Sequence, residues 1–130
     1  MSEDEALYQK CKPLLDAIQQ EEDPDGLNQH APGAKLDAGK PRPWLVLGGF
    51  RSALMEVVKV GTLGAIKYSD HGWRSVRDAE QRYLDAALRH LLAPEALDPE
   101  SGLPHLAHAA WNVLAVLELQ LQAEGRGCND

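Results

Sequence analysis

The chain has 130 residues, 44% of them hydrophobic, and sets 13 lysines and arginines against 20 aspartates and glutamates for a formal charge of −7. That is enough chain for one domain around a single core and too little for two, and no apolar run reaches the roughly 18 residues a membrane span needs. The acidic balance excludes nonspecific attraction to a nucleic-acid polymer, so a polyanionic ligand would need local cations or metal ions.

Cys11 and Cys128 lie near opposite ends and fit no metal-ligand spacing, and the acidic N-terminus lacks an apolar signal region, which points to a reducing cytoplasm. Alanine and leucine are abundant, with one Phe and three Tyr, a composition that favours helices over strands. The expectation is an all-α bundle of about four helices.

In chain order, Leu7, Leu14, Leu15 and Ile18 recur at helical spacing from Glu5 to about Glu21, with Pro13 expected to kink or restart the helix. Residues 22–43 hold too many prolines and glycines for a long regular element and read as a mobile linker or a functional loop. From Gly33 the loop turns basic: GAKLDAGKPR offers Lys35, Lys40 and Arg42, with glycines that let backbone N–H groups approach a ligand.

An apolar segment begins at Trp44, and its periodicity predicts a helix from about Gly49 to Lys67, with Glu56 and Lys59 one turn apart. The turn KYSDHGWR places Tyr68 and Trp73 where either the core or a ligand must cover them. The next helix should start at Ser75 or Asp78 as N-cap and stop before Ala93-Pro94, with Leu84, Ala87, Leu88 and Leu91 as its core face. Asp78, Arg82, Asp85 and Arg89 align on another face, the usual pattern of a solvated ion-pair ladder, with His90 off to one side. The last helix, about Pro104 to Ala123, has Leu106, Ala109, Ala110, Val113, Leu114 and Leu117 as expected core, and Gly125 stops it.

That last helix carries His105, His108 and Asn112 along one stripe, and polar groups on an apolar helix point to chemistry. Two histidines at i, i+3 can reach one ion, and Mg²⁺ or Mn²⁺ would want carboxylates beside them. Glu56, Asp85, Asp98 and Glu100 are the candidates; Asp98 and Glu100 also suit the helix dipole, so capping alone explains one of them. A hydrogen-bonded pair of core histidines is the plainer alternative. The HxxH spacing lacks the general base of an HExxH zinc site, and no Walker loop, GxSxG or His-Asp dipeptide is present.

Four segments in order, GAKLDAGKPR, GAIKYSDHGWR, RYLDAALRH and DPESGLPHLAHAAWN, resemble the phage dATP/dGTP diphosphohydrolases called MazZ, over about Gly33 to Leu119. The resemblance implies a MazG/HisE-type all-α fold and a dimer or tetramer in the host cytoplasm, with no nucleic-acid or membrane partner. It also implies Mg²⁺- or Mn²⁺-dependent cleavage of dGTP or dATP to the monophosphate and pyrophosphate, supplying dGMP in phages that replace adenine with 2-aminoadenine. On it, residues 1–32 are an N-terminal helix and loop, 33–123 the catalytic helical domain and 124–130 a tail.

The wider superfamily holds its metals with ExxE and ExxD on successive helices. Here His105 and His108 stand at the ExxD positions, and the preceding helix offers only Asp85, with Arg82 one turn earlier. Either Glu56, Asp98 or Glu100 replaces the absent carboxylates, or the histidines act behind them as hydrogen-bonding and proton-handling groups. The expected catalytic set is Glu56, Asp85, Glu100 and His105, with Glu56, Asp85, Asp98, Glu100, His105 and His108 as metal candidates. Lys35, Lys40, Arg42, Lys67 and Arg89 are expected at the phosphates and Trp73 at the purine. The competing readings are another metal-dependent nucleotide phosphohydrolase and a helical binding module without activity.

Overall fold

The computed structural model describes residues 1–19 and 21–127, so Cys128 lies outside the described residues. The described residues form five α-helices, α1 (Glu3–Gln19), α2 (Pro43–Gly48), α3 (Arg51–Lys67), α4 (Ala79–Leu92) and α5 (His105–Ala123), with a short 3-10 turn at Gly72–Ser75. No strand is present among them, only one isolated bridge between Leu97 and Pro104. None of these helices is long and apolar enough to cross a membrane. The fold is all-α, as composition and periodicity predict.

The chain divides into two compact units, Met1–Pro43 and Trp44 onward. In the first, Ser2 accepts the Glu5 N–H through its hydroxyl and begins α1, with Glu3, Asp4 and Glu5 in the first turn where the helix dipole favours negative charge. Pro13 lies inside the continuous helix and does not restart it. The loop after α1 is not an unstructured linker. The carboxylate of Asp23, itself buried, accepts N–H bonds from Asp25 (2.8 Å), Leu27 (3.2 Å) and Lys35 (2.9 Å). One acidic side chain therefore closes a loop that breaker residues alone would leave open. The Lys35 N–H, first among these donors, holds the Asp23 carboxyl below its ordinary range.

In the second unit α5 packs on both α4 and α3. The apolar segment from Trp44 supplies one element more than its periodicity suggests: Pro43 opens α2, and Gly48-Gly49 separates it from α3. α4 begins after Asp78, whose backbone is left-handed (φ 51°) and whose side chain makes no capping bond. Asp tolerates that region better than most residues. α4 ends where Ala93 turns extended ahead of Pro94, as the pre-proline restriction requires.

The core departs from the expected face. Leu106, Val113, Leu114 and Leu117 are exposed, Leu106 at 72%, and so are Leu84, Leu88 and Leu91 on α4. Of the expected α5 core Ala109 is buried, and the other buried residues of that helix are His105, Ala107, Asn112, Ala115 and Val116. His105, Ala109, Asn112 and Val116 form one helical stripe. Small residues let α4 and α5 approach closely, so the histidine-bearing stripe faces the interior and the leucines do not. On α3 the same logic applies at Gly61, where an added Cβ would stand 2.9 Å from the Trp111 indole nitrogen. Trp111 also receives Trp73 and Tyr83 edge-on at 5.8 and 5.7 Å between ring centroids, and the Tyr83 hydroxyl donates to the Trp73 carbonyl at 2.6 Å.

Candidate metal centre

The turn between α4 and α5 is built from its own backbone. The Asp98 N–H donates to the Leu103 carbonyl (2.8 Å), the Gly102 N–H to the Asp98 carbonyl (2.7 Å) and the His105 N–H to the Ala96 carbonyl (2.9 Å). Gly102 holds φ 72°, a left-handed conformation open to glycine, and this lets the chain reverse tightly under Asp98. Pro104 is extended at the N-cap of α5, so His105 is the first helical residue and enters the interior at once.

The result is a convergence of three side chains from three segments. His90 from the last turn of α4, Asp98 from the loop and His108 from the first turns of α5 offer ligand atoms that all lie within 4.8 Å of one another. Asp98 Oδ2 is 3.6 Å from His108 Nε2 and 3.8 Å from His90 Nδ1. The His90 and His108 rings stack, with centroids 4.4 Å apart and planes 9° from parallel. The Asp98 side chain is only 15% exposed, and its other oxygen accepts the Glu100 N–H at 2.7 Å. The Ser101 hydroxyl sits 2.7 Å from His108 Nε2 and accepts the Leu103 N–H at 3.1 Å.

Electrostatics keep this cluster ready for a cation. Burial first, then the neighbouring His108, press the His90 imidazole below its ordinary value; burial, only partly opposed by Asp98, does the same to His108. For Asp98, burial pushes the carboxyl up, but the Glu100 and Ser101 N–H groups and the two histidines outweigh it and hold it below its ordinary value. The resting arrangement is an ionised carboxylate beside two neutral imidazoles, the protonation state that binds a metal ion.

His105 touches the cluster from behind. Its Nδ1 lies 2.8 Å from His90 Nδ1 and its Nε2 lies 3.3 Å from Glu95 Oε1. Asn112 is buried and donates to the His108 carbonyl at 2.8 Å, so it serves the backbone of α5 and not the imidazole ring.

The remaining expected residues stand elsewhere. Glu100 is adjacent in sequence, but its side chain is 80% exposed and pairs with Lys67 at 3.2 Å, a bond that raises the Lys67 ammonium above its ordinary value. Glu56 pairs with Lys59 at 2.8 Å and Asp85 accepts from Gln81 at 3.1 Å, both on their own helices and neither in the cluster. Arg89 is exposed on α4, and Trp73 is half-buried against Trp111. Lys35, Lys40 and Arg42 belong to the first unit, where Lys40 pairs with Glu21 at 2.7 Å. The residue that periodicity passed over is His90. It lies off the charged stripe of α4, and only its placement beside Arg89 at the end of the RYLDAALRH segment could have marked it.

The family model described as "dATP/dGTP diphosphohydrolase, N-terminal" matches residues 30–128. A curated relative from Salmonella phage PMBT28, named dATP/dGTP diphosphohydrolase, is 36% identical over 90 residues, which cover 67% of this chain. The aligned part spans 29% of that relative's length. No solved structure matches.

Proposed function

The chain belongs to the dATP/dGTP diphosphohydrolase N-terminal family, and from that premise we propose that it cleaves purine deoxynucleoside triphosphates to the monophosphate and pyrophosphate, with a divalent metal ion held by His90, Asp98 and His108. The observation that carries the metal reading is the approach of the ionised Asp98 oxygen to His108 Nε2 at 3.6 Å. The Ser101 hydroxyl, which accepts the Leu103 N–H, lies 2.7 Å from His108 Nε2, and an ion bound at that nitrogen would take the place of the hydroxyl on it. Carboxylate oxygen and imidazole nitrogen then border the same space, where a cation between them would be stabilised by both.

The donor set also bears on which cation. Two nitrogens and one oxygen suit a first-row transition ion such as Mn²⁺, whereas Mg²⁺ prefers an all-oxygen shell. When bound, the ion would supply charge neutralisation at the phosphates and lower the pKa of a coordinated water. The chain's own residues do the rest. Asp98 is fixed by the Glu100 N–H, and Lys67, held near the loop by Glu100, is free to exchange that partner for a phosphate oxygen on the exposed side. Arg89, next to His90, offers a second cation. In a phage that replaces adenine with 2-aminoadenine, this reaction would yield dGMP and deplete dATP.

Phosphorus NMR of the chain with dGTP or dATP and Mn²⁺ tests the reading. Pyrophosphate and monophosphate should appear together, and Asp98→Asn should abolish both. Inorganic phosphate without pyrophosphate would overturn the reaction, and full activity in Asp98→Asn would overturn the site.

A further inference from the structure

Resting on the reading of His90, Asp98 and His108 as a metal centre, we propose that His105 is a fourth protein ligand of the same ion and that Glu95 is the residue that aims it. His105 is buried, and its backbone is fixed at the first position of α5 by the bond from its N–H to Ala96. Its Nε2 faces the Glu95 carboxylate at 3.3 Å. A carboxylate only accepts, so Nε2 carries the proton and Nδ1 presents a lone pair. A ligating histidine commonly gives its other ring N–H to a carboxylate in this way.

That lone pair points at His90. The two Nδ1 atoms are 2.8 Å apart, and His90 Nδ1 is the same atom that faces Asp98 Oδ2 at 3.8 Å. At this distance the two nitrogens form an N–H···N hydrogen bond, and since His105 Nδ1 presents the lone pair, His90 Nδ1 carries the proton and donates it. Neighbouring nitrogen ligands on one ion with bonds of about 2.1 Å lie about 3 to 3.4 Å apart. An ion that displaces this proton from His90 Nδ1, leaving His90 protonated on Nε2, therefore meets His105 Nδ1 after a shift of about a few tenths of an ångström. His105 stands outside the tightest grouping of ligand atoms, those of His90, Asp98 and His108 within 4.8 Å of one another, and so approaches from the His90 side. Three imidazoles and one carboxylate make a centre that selects borderline ions over Mg²⁺ more strongly than two imidazoles would.

The experiment counts imidazoles on the ion. Pulsed EPR of the full chain loaded with Mn²⁺, with X-ray absorption of the Zn²⁺ form, should report three coordinated imidazoles in the parent and two in His105→Gln. Glu95→Gln should keep three while weakening Mn²⁺ binding about 10- to 100-fold, the range for a lost outer hydrogen bond to a ligand. Two imidazoles in the parent would overturn the fourth ligand and leave the metal centre standing; that count needs no variant to fold. A parent that binds neither ion would overturn both.

Discussion

Asp23 and Asp98 use the same local device to different ends. Each carboxylate accepts the N–H two residues on, from Asp25 at 2.8 Å and from Glu100 at 2.7 Å, and so folds a loop that glycines and prolines leave open. At Asp23 the second oxygen takes the Lys35 N–H, and its acceptor capacity is spent on backbone. At Asp98 the second oxygen faces His90 and His108. One aspartate staples a loop; the other staples a loop and turns an oxygen to two imidazoles, the oxygen proposed here to bind an ion. What separates the structural carboxylate from the proposed metal ligand is the partner of its second oxygen.

The contrast breaks most sharply at the functional side. Asp98→Asn should weaken Mn²⁺ binding more than about 100-fold in equilibrium dialysis, since even outer-partner losses reach that range. Asp23→Ala should leave Mn²⁺ binding unchanged while the Lys35 and Leu27 amides lose hydrogen-exchange protection. If both variants lost the ion equally, the distinction between the two loops would fall.

Between these lies the pH response. His90 and His108 sit below their ordinary value of 6.5 in the folded chain, so as pH falls through that value the unfolded chain takes up protons that the folded chain resists. Stability from these groups is thus complete above about 6.5 and declines on acidification toward their depressed folded values. Asp98, lowered from 3.8, adds a second loss at lower pH in the same direction. The His90 and His108 rings also face His105, Ser101 and, through His105, Glu95. Thermal melts of the metal-free chain from pH 8 to 5 should fall below about 6.5, and Asp23→Ala should keep that dependence. A smaller effect is expected away from both loops. Gly61→Ala drives a methyl into Trp111, 2.9 Å from its indole nitrogen, and should cost about 1–3 kcal/mol in denaturant unfolding without changing ion affinity. Asp85→Asn, on an exposed helix face, should change Mn²⁺ affinity by less than about twofold, as a surface charge screened by water does.

Helix positions were legible because periodicity, Pro94 and Pro104 mark the ends of α4 and α5. The buried face of α5 was not, since leucines count for more than alanines on any hydropathy wheel, and close packing against α4 selects the alanines. Asp98, His105 and His108 were legible from composition, as polar groups around the start of an apolar helix. His90 was not: its role depends on the loop 93–104 folding back so that α5 stacks His108 on it, a long-range event with no local signature. Glu56 and Asp85 drew attention as carboxylates on the right helices, and the structure gives them partners on their own helices instead.

The most direct test is anomalous diffraction at the manganese edge from crystals grown with Mn²⁺. One strong peak is expected about 2.0–2.4 Å from Asp98 Oδ2 and from imidazole nitrogens of His90 and His108. A peak on Glu56 or Asp85 with the His90, Asp98 and His108 cluster bare would contradict the proposed metal centre.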